Sequence, residues 1–426
     1  MAIQALKGVN DILPEEIAAW SHVEHTLAHI FRAYGYRAIR VPIIEERSLF
    51  VRSIGEETDI VEKEIYSFTD RGGRDIALRP EATASVVRAY LQHRMASQGM
   101  VKLYYHGAMF RGERPQAGRN RQFFQMGVEA IGCSAAYLDA EVIELAACCL
   151  RGLGLKSFEI ILNSVGCRDD KRAFAELLRA FLEPRQKELC QSCQRRLARN
   201  ILRVLDCKNP ACGAIVHDAP AMADHQCAAC REHFQLLTGT LDRLAVTYRI
   251  DPHLVRGLDY YTKTVFEIVH SGLGAQNSLC AGGRYDNLVA ELGGEPTGAM
   301  GFAFGLERLL LAGHADHVPF PENAAPSVYG VGLGDAAYQA VTALVRDLRH
   351  QGVSTVIGYE QRSLKSHLKQ ADKAAARFSL IIGDNELASG TVLVRDMRLG
   401  TQESLASNSV LEYIKQVLQL PAQRCS

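Results

Sequence analysis

The chain has 426 residues, with 48 basic and 48 acidic side chains, a formal net charge of zero and 47% hydrophobic content. At roughly 100–200 residues per domain this is a chain of two to four domains with ample core. Wholesale disorder is excluded, as is a surface with general affinity for nucleic acid, although local basic patches are not. No uncharged apolar run approaches the roughly 18–20 residues that span a bilayer, and MAIQALKGVNDILPEE lacks the apolar centre of a secretory signal. The expectation is a soluble, cytoplasmic protein with no membrane association, the chain being mature as it stands. Twelve cysteines without an export signal read as reduced thiols, but six of them crowd between Cys190 and Cys230.

In chain order, Ile17, Trp20, Val23, Leu27, Ile30, Phe31 and Tyr34 recur at helical spacing, with Pro14 to start the helix and Gly35 to stop it. An extended segment at 36–41 closes on Pro42, which suits a strand end or a sheet edge. Strand-like runs follow at 102–105, 123–131, 159–162, 265–269 and 301–304, and helical runs at 82–92, 138–150 and 306–311. Without steady alternation of the two, this order favours an α+β sheet over a doubly wound parallel one. Residues 168–244 change character: cysteines, many arginines and little strand pattern mark a helical insertion. The stretch PFPENAAPS marks a boundary near 317–327. Beyond it, strands at 327–332, 353–359, 378–382 and 391–395 alternate with helices at 336–350, 363–377 and 410–420, which is a small α/β domain.

Absent signatures narrow the chemistry. There is no GxxxxGK[ST], HExxH or GxSxG, and Gly330, Gly332 and Gly334 miss the dinucleotide spacing. What stands out is RGERPQAGRNRQFFQMGVEAIG at 111–132, two extended runs around a turn. Its loop sets Arg111, Arg114, Arg119 and Arg121 against Glu113 alone. Guanidinium forks bind phosphate bidentately and stay charged, so the loop suits a phosphate or nucleic-acid ligand; a solvated basic turn is the plainer reading.

The neighbouring motifs decide between them. RGERPQAGRNRQFFQMGVEAIG resembles motif 2 of the class II aminoacyl-tRNA synthetases, GYRAIRVPIIEERSLF (35–50) resembles motif 1, and GFAFGLERLLL (301–311) resembles motif 3. LVRGLDYYT (254–262), AGGRYD (281–286), LRPEAT (78–83) and KGVNDILP (7–14) resemble the histidyl-tRNA synthetase family in particular. The resemblance runs the length of the chain. It implies a class II antiparallel sheet with helices over 1–322, the insertion at 168–244, and an anticodon-binding α/β domain over 326–421. It also implies a homodimer joined through motif 1, with histidine tRNA, L-histidine and ATP as partners and Mg²⁺ as cofactor.

Site residues carry over by motif. Arg111, Arg256 and Arg308 are implied as catalytic, with Arg111 and Arg256 on the α-phosphate and Arg308 on the γ-phosphate. Glu113 and Phe123 join Arg111 and Arg308 at ATP, Phe123 stacking on adenine. Histidine would be held by Glu81, Ala82, Thr83, Arg111, Gln125, Glu129, Arg256, Tyr260, Tyr261 and Tyr285, with Glu129 and Tyr261 reading the imidazole. Arg114 and Gln116 would meet tRNA. Arg195, Arg196, Arg199 and Arg203 make a basic helix suited to acceptor-stem phosphates, and Lys365, Lys369, Lys373 and Arg377 a stripe along one C-terminal helix. The alternatives are a non-catalytic synthetase-like regulatory subunit of histidine biosynthesis, or a class II synthetase for another amino acid. Zinc lies outside the resemblance. Cys190-x-x-Cys193 and Cys227-x-x-Cys230 have the spacing of a structural Zn²⁺ site, with Cys207 and Cys212 able to replace either pair and His225 a weaker ligand; buried reduced thiols are the other reading.

Overall fold

The computed structural model describes residues 3–56 and 58–419. The chain divides into two compact units, one ending at Glu322 and the other beginning at Asn323. Strands of the first unit are β1 (Arg37–Ala38), β2 (Ile44–Glu46), β3 (Ser67–Thr69), β4 (Asp75–Leu78), β5 (Val101–Phe110), β6 (Gln122–Ile131), β7 (Phe158–Ser164), β8 (Arg249–Ile250), β9 (Thr262–His270), β10 (Ser278–Arg284) and β11 (Ala299–Gly305). Its α-helices are α1 (Pro14–Ala33), α2 (Arg47–Ile54), α3 (Thr83–Gln92), α4 (Ala136–Gly152), α5 (Arg168–Leu182), α6 (Gln191–Ala198), α7 (Pro210–His217), α8 (Ala228–Arg243), α9 (Leu288–Glu291) and α10 (Leu306–Ala315).

Helix α1 forms as its spacing requires. Pro14 opens it, Glu15 and Glu16 lie in the first turn, and Trp20, Val23, Leu27 and Phe31 make one buried stripe. Gly35 then turns the chain at φ +82°, a conformation that favours glycine. The extended segment that follows pairs over only two residues, Arg37 with Leu103 and Ala38 with Tyr104, parallel to β5 at the sheet edge. Pro42, with no N–H to donate, fits that early stop.

The main sheet runs β1-β5-β6-β11-β10-β9-β7-β8, antiparallel except for the β1/β5 and β7/β8 edge pairs. Alternation along the strands separates its two faces. Met126, Val128, Ala130, Phe266, Ile268, Met300, Phe302 and Phe304 pack with α1 and α4 in the largest core, leaving the opposite face for a cleft. A small sheet, β2-β4-β3, lies beside it. The expected α+β class is what the chain adopts. Sequence patterning gave no sign of β10, whose glycines dilute its hydrophobic signal, or of the short β2, β3 and β4. Helices α5 to α8 and several 3₁₀ turns make up the cysteine-rich region. Among the described residues no helix is long and apolar enough to cross a membrane.

The second unit has β12 (Val328–Gly332), β13 (Thr355–Ile357), β14 (Phe378–Ile382), β15 (Thr391–Asp396) and β16 (Gln402–Ala406), with α11 (Asp335–His350), α12 (Leu364–Lys373), α13 (Asp384–Ser389) and α14 (Val410–Leu418). Its sheet order is β13-β12-β14-β15-β16, with β12 parallel to both neighbours and β15 and β16 antiparallel. Strand β16 and helix α13 are additions to the expected pattern. Leu420, the expected end of the last helix, and position 421 lie outside the described residues. Helix α12 stops at Lys373, where Ala375 at φ +52° turns the chain, so Arg377 leaves the helical stripe and stacks over Phe378, 5.0 Å from its ring centre. The lysines at 365, 369 and 373 remain in line.

Candidate active site

Strand β6 supplies the axis of the cleft. Phe123, Gln125, Gly127 and Glu129 occupy alternate positions, so one face of one strand points all four inward. Across from them on β11 stand small residues: Gly301 pairs with Glu129, Ala303 with Gly127 and Gly305 with Gln125. The small residues are required. A Cβ on Gly301 would lie 2.0 Å from Glu129 Oε2, and one on Gly283 of β10 would lie 2.7 Å from the Tyr261 ring. These glycines let a carboxylate and a tyrosine lie flat on the sheet, in an open cleft.

At the closed end sits a polar fork. Glu129, 1% exposed, accepts hydrogen bonds from Thr83 Oγ1 at 2.6 Å and from the Tyr285 hydroxyl. Burial pushes its carboxyl up to about 8, against the lowering effect of those two donors. Glu81 uses both oxygens on the start of α3, accepting from Thr83 N at 2.6 Å and Ala84 N at 3.0 Å. Burial raises its carboxyl as well. Tyr260 packs against Tyr261 with ring centres 4.7 Å apart and against Tyr285 at 5.7 Å. Buried Gln125 Oε1 has no partner among the described residues, so it is free to accept a hydrogen bond from a ligand.

Toward the mouth the charge reverses. Arg111 donates from Nε to Pro80 O at 3.0 Å and lies over Phe123, 5.1 Å from its ring centre. Arg308 is held by the carbonyls of Gly118 at 2.9 Å and Ser278 at 2.8 Å. Burial lowers the affinity of both guanidinium groups for their protons, and for Arg308 the nearby Arg119 and Arg111 add to this. Arg256 pairs with Glu267 at 3.2 Å, leaving its buried Nε without a partner among the described residues. Burial works against its charge, but Glu267 more than offsets this and holds it protonated. Three guanidinium groups crowding one cleft repel one another, so the cleft is electrostatically complementary to a polyanion. Its loop is braced from the N-terminus: Gly8 O accepts from Arg121 N at 2.7 Å and Gln122 N at 3.1 Å, which gives KGVNDILP a physical role.

Of the residues singled out from sequence, Glu81, Thr83, Arg111, Glu113, Phe123, Gln125, Glu129, Arg256, Tyr260, Tyr261, Tyr285 and Arg308 line this cleft together. Ala82 does not, being wholly buried in the core beneath α3. Arg114 is exposed and Gln116 closes the loop turn with Arg119, through backbone bonds of 3.0 and 2.9 Å. Sequence reasoning missed Tyr105, Ser278 and Glu307. Glu307 opens α10, accepts from Phe124 N at 3.0 Å and is pushed up to about 7 by burial. Its LER context could have revealed it, since an acidic residue in a first turn is a capping signal.

Two further expectations are corrected. The basic helix of the insertion ends at Ala198, so Arg199 and Arg203 lie beyond it, and three of the four arginines turn toward acids outside the insertion. Arg196 pairs with Asp59 at 3.1 Å, Arg199 with Glu62 at 3.0 Å and Arg203 with Asp59 at 3.8 Å. The four first-choice cysteines do not converge on one point. Cys190 and Cys193 cluster with Cys207 and Cys212, whereas Cys227 and Cys230 cluster with Cys167 and Asp170. The helical fold of the insertion separates the two C-x-x-C pairs, each at the start of its own helix.

Glu129→Gln is expected to separate stability from function. A carboxyl raised in the folded state favours folding most below its unfolded value of about 4.5, and that contribution is lost as pH rises through about 8. The amide has no such loss. The variant should therefore gain thermal stability on wild type between pH 6 and 9, while losing affinity for the ligand whose N–H groups the carboxylate would accept. Parallel melting curves at the two pH values give the answer; an unchanged difference would refute the raised carboxyl.

The comparisons with known proteins agree with this geometry. A family model described as histidyl-tRNA synthetase matches residues 8–309, and one described as an anticodon binding domain matches 327–417. The histidine–tRNA ligase of Halothermothrix orenii is 46% identical over 98% of this chain and 100% of its own length. That of Moorella thermoacetica is 48% identical over 96% of this chain and 97% of its own. Apo histidyl-tRNA synthetase from S. aureus superposes with a TM-score of 0.82 at 36% identity, covering 97% of this chain and 100% of that one. With the glycine-floored cleft, the carboxylate fork and the arginine mouth all lying within the matched span, the chain belongs to the histidyl-tRNA synthetase family.

Proposed function

We propose that the protein is a histidine–tRNA ligase, which activates L-histidine with ATP and transfers it to the 3′ end of histidine tRNA. The observation that carries this reading is one cleft with a buried carboxylate fork at its closed end and three guanidinium groups at its mouth. The fork suits an amino acid bearing both an ammonium and a ring N–H. In this reading Glu81, Thr83 and Gln125 take the ammonium, and Glu129 with Tyr285 and Tyr261 takes the imidazole. A site built to hydrogen-bond a polar side chain rejects analogues lacking it by roughly 10⁴–10⁵ without editing.

Histidine carboxylate oxygen then attacks the α-phosphorus of ATP, forming the histidyl-adenylate and releasing pyrophosphate. Arg111 and Arg256 stabilise charge building on the α-phosphate, Arg308 holds the γ-phosphate and Phe123 stacks on adenine. Positioning and charge stabilisation do most of this work. Glu113, a carboxylate in the cleft, is an oxygen donor of the kind Mg²⁺ takes, and the ion would screen polyphosphate charge. In the second step the terminal ribose hydroxyl of tRNA takes the acyl group and AMP leaves, with Arg114 and Gln116 near the acceptor end. Exposed Ile43, Ile44 and Phe68 around the small sheet support a homodimer with that face covered. The reading includes a cytoplasmic location. Retention of Arg111, Arg256, Arg308 and the anticodon-binding match speaks against the regulatory-subunit alternative.

Amino-acid-dependent ATP–pyrophosphate exchange across a panel of amino acids tests the reading, and histidine alone should support it. A chain ending at Glu322 should keep that exchange, because every cleft residue precedes that point, yet charge tRNA poorly. Equal charging by the shortened chain would remove the anticodon-binding role from the second unit.

A further inference from the structure

The four cysteines gathered in the insertion have no part in the chemistry above. Cys190 precedes α6, Cys193 lies in its first turn, Cys207 follows the 3₁₀ turn Ile201–Val204, and Cys212 lies in α7. Their sulfurs all fall within 4.8 Å of one another, and Cys190 Sγ and Cys207 Sγ are 3.8 Å apart. Four sulfurs at about 2.3 Å from a tetrahedral zinc ion are about 3.8 Å from each other. A disulfide would need about 2.05 Å. Two backbone N–H groups already point at these sulfurs: Cys190 N donates to Cys212 Sγ at 3.2 Å and Asn209 N to Cys207 Sγ at 3.5 Å. Such donors stabilise thiolate rather than thiol.

The surrounding structure needs a staple. Helices α6 and α7 have eight residues each, below the roughly 12–15 at which isolated helices become stable, and the local core is small. We propose that Cys190, Cys193, Cys207 and Cys212 hold one structural Zn²⁺, which ties the two ends of the segment 194–206 together. That segment carries Arg196, Arg199 and Arg203, whose partners are Asp59 and Glu62. The zinc thus fixes the basic face of the insertion against the segment that carries Asp59 and Glu62, without touching the cleft.

The second cluster is different. Asp170 spends both oxygens on backbone, accepting from Cys167 N at 3.1 Å and Cys227 N at 2.9 Å, and Cys227 is exposed. It is a carboxylate cap joining the starts of α5 and α8.

Full-length protein purified without chelator should contain about one zinc per chain. Co²⁺ exchanged for it should give the intense visible bands of tetrahedral thiolate coordination. Cys207→Ser/Cys212→Ser should lose the metal and be cut faster by protease within 190–212, whereas Cys227→Ser/Cys230→Ser should keep it. Where the first variant does not fold, wild-type protein titrated with a mercurial should release zinc as those four thiols are modified. Less than about 0.1 equivalent, as purified and after zinc is added under reducing conditions, overturns the proposal. So does release that follows Cys227 and Cys230 instead. Two equivalents, one lost in each variant, would support the four-thiolate site and overturn the cap reading of Asp170.

Discussion

Arg256→Ala should lower histidine-dependent pyrophosphate exchange by about 10²–10³-fold, the usual effect of removing one preorganised charge-stabilising group. In the proposed reaction the fall should lie mainly in kcat, because there phosphate charge beside Arg256 would develop in the transition state rather than in the bound substrates. The obvious rival is that Arg256 merely neutralises Glu267, its partner at 3.2 Å. The two roles separate in the double variant. Arg256→Ala/Glu267→Gln removes the orphaned acid along with the arginine, so it should restore activity if neutralisation is the whole role and stay inactive if the guanidinium acts on phosphate. Exchange within a few-fold of wild type in either variant would remove Arg256 from the chemistry. Its buried Nε, unpartnered among the described residues, is where a ligand oxygen would be accommodated.

Legibility in the sequence followed how local each signal is. Helices α1 and α4 and the β5–β6 hairpin were readable because their apolar spacing is long and regular, and the two strands pair without a break from Val101↔Ile131 to Phe110↔Gln122. Strand β10 was not, because Ser278–Arg284 contains two glycines whose reason is a neighbour far away in sequence: Gly283 makes room for Tyr261, Gly282 for Phe266. Most residues singled out from the motifs line one cleft together, since those at alternate strand positions share a face. The pairing inside it was not legible. Of the two hydroxyls bonded to Glu129, one belongs to Thr83, 46 positions away, and the other to Tyr285, 156 positions away, and no spacing predicts either. The cysteines make the same point. The C-x-x-C pairs signal two helix starts, but which pairs meet depends on how α6, α7 and α8 fold back. Arginines 196 and 199 looked like part of a free basic face because their acidic partners, Asp59 and Glu62, lie 137 positions upstream, and Arg203 adds a pair with Asp59 to its local one with Asp206.

Arg284 carries the second large effect, on stability rather than chemistry. It is wholly buried in the AGGRYD stretch and pairs with equally buried Asp139, as well as with Asp286 at 2.8 Å. Asp139 also accepts from Thr264 Oγ1 and His233 Nε2 at 2.5 and 2.8 Å, so one carboxylate joins α4, α8, β9 and β10. Burial alone would raise that carboxyl, but His233 and Arg284 outweigh it and hold it below its ordinary value. Arg284→Met should therefore cost about 3–5 kcal/mol in urea denaturation at pH 8, the penalty for leaving a buried charge without its partner. The sign of the pH dependence follows. A depressed carboxyl stabilises the fold above its unfolded value of about 3.8 and ceases to do so as pH falls through the folded value. Removing Arg284 leaves burial opposed by His233 without the guanidinium, so the carboxyl should rise and the variant should regain ground on wild type as pH drops from 8 toward 5. Adding Asp139→Asn should recover much of the loss, because a neutral amide beside Thr264 carries no unpaired charge. A loss under about 1 kcal/mol at pH 8 would mean that His233 and Thr264 already satisfy Asp139, making the arginine dispensable to the fold.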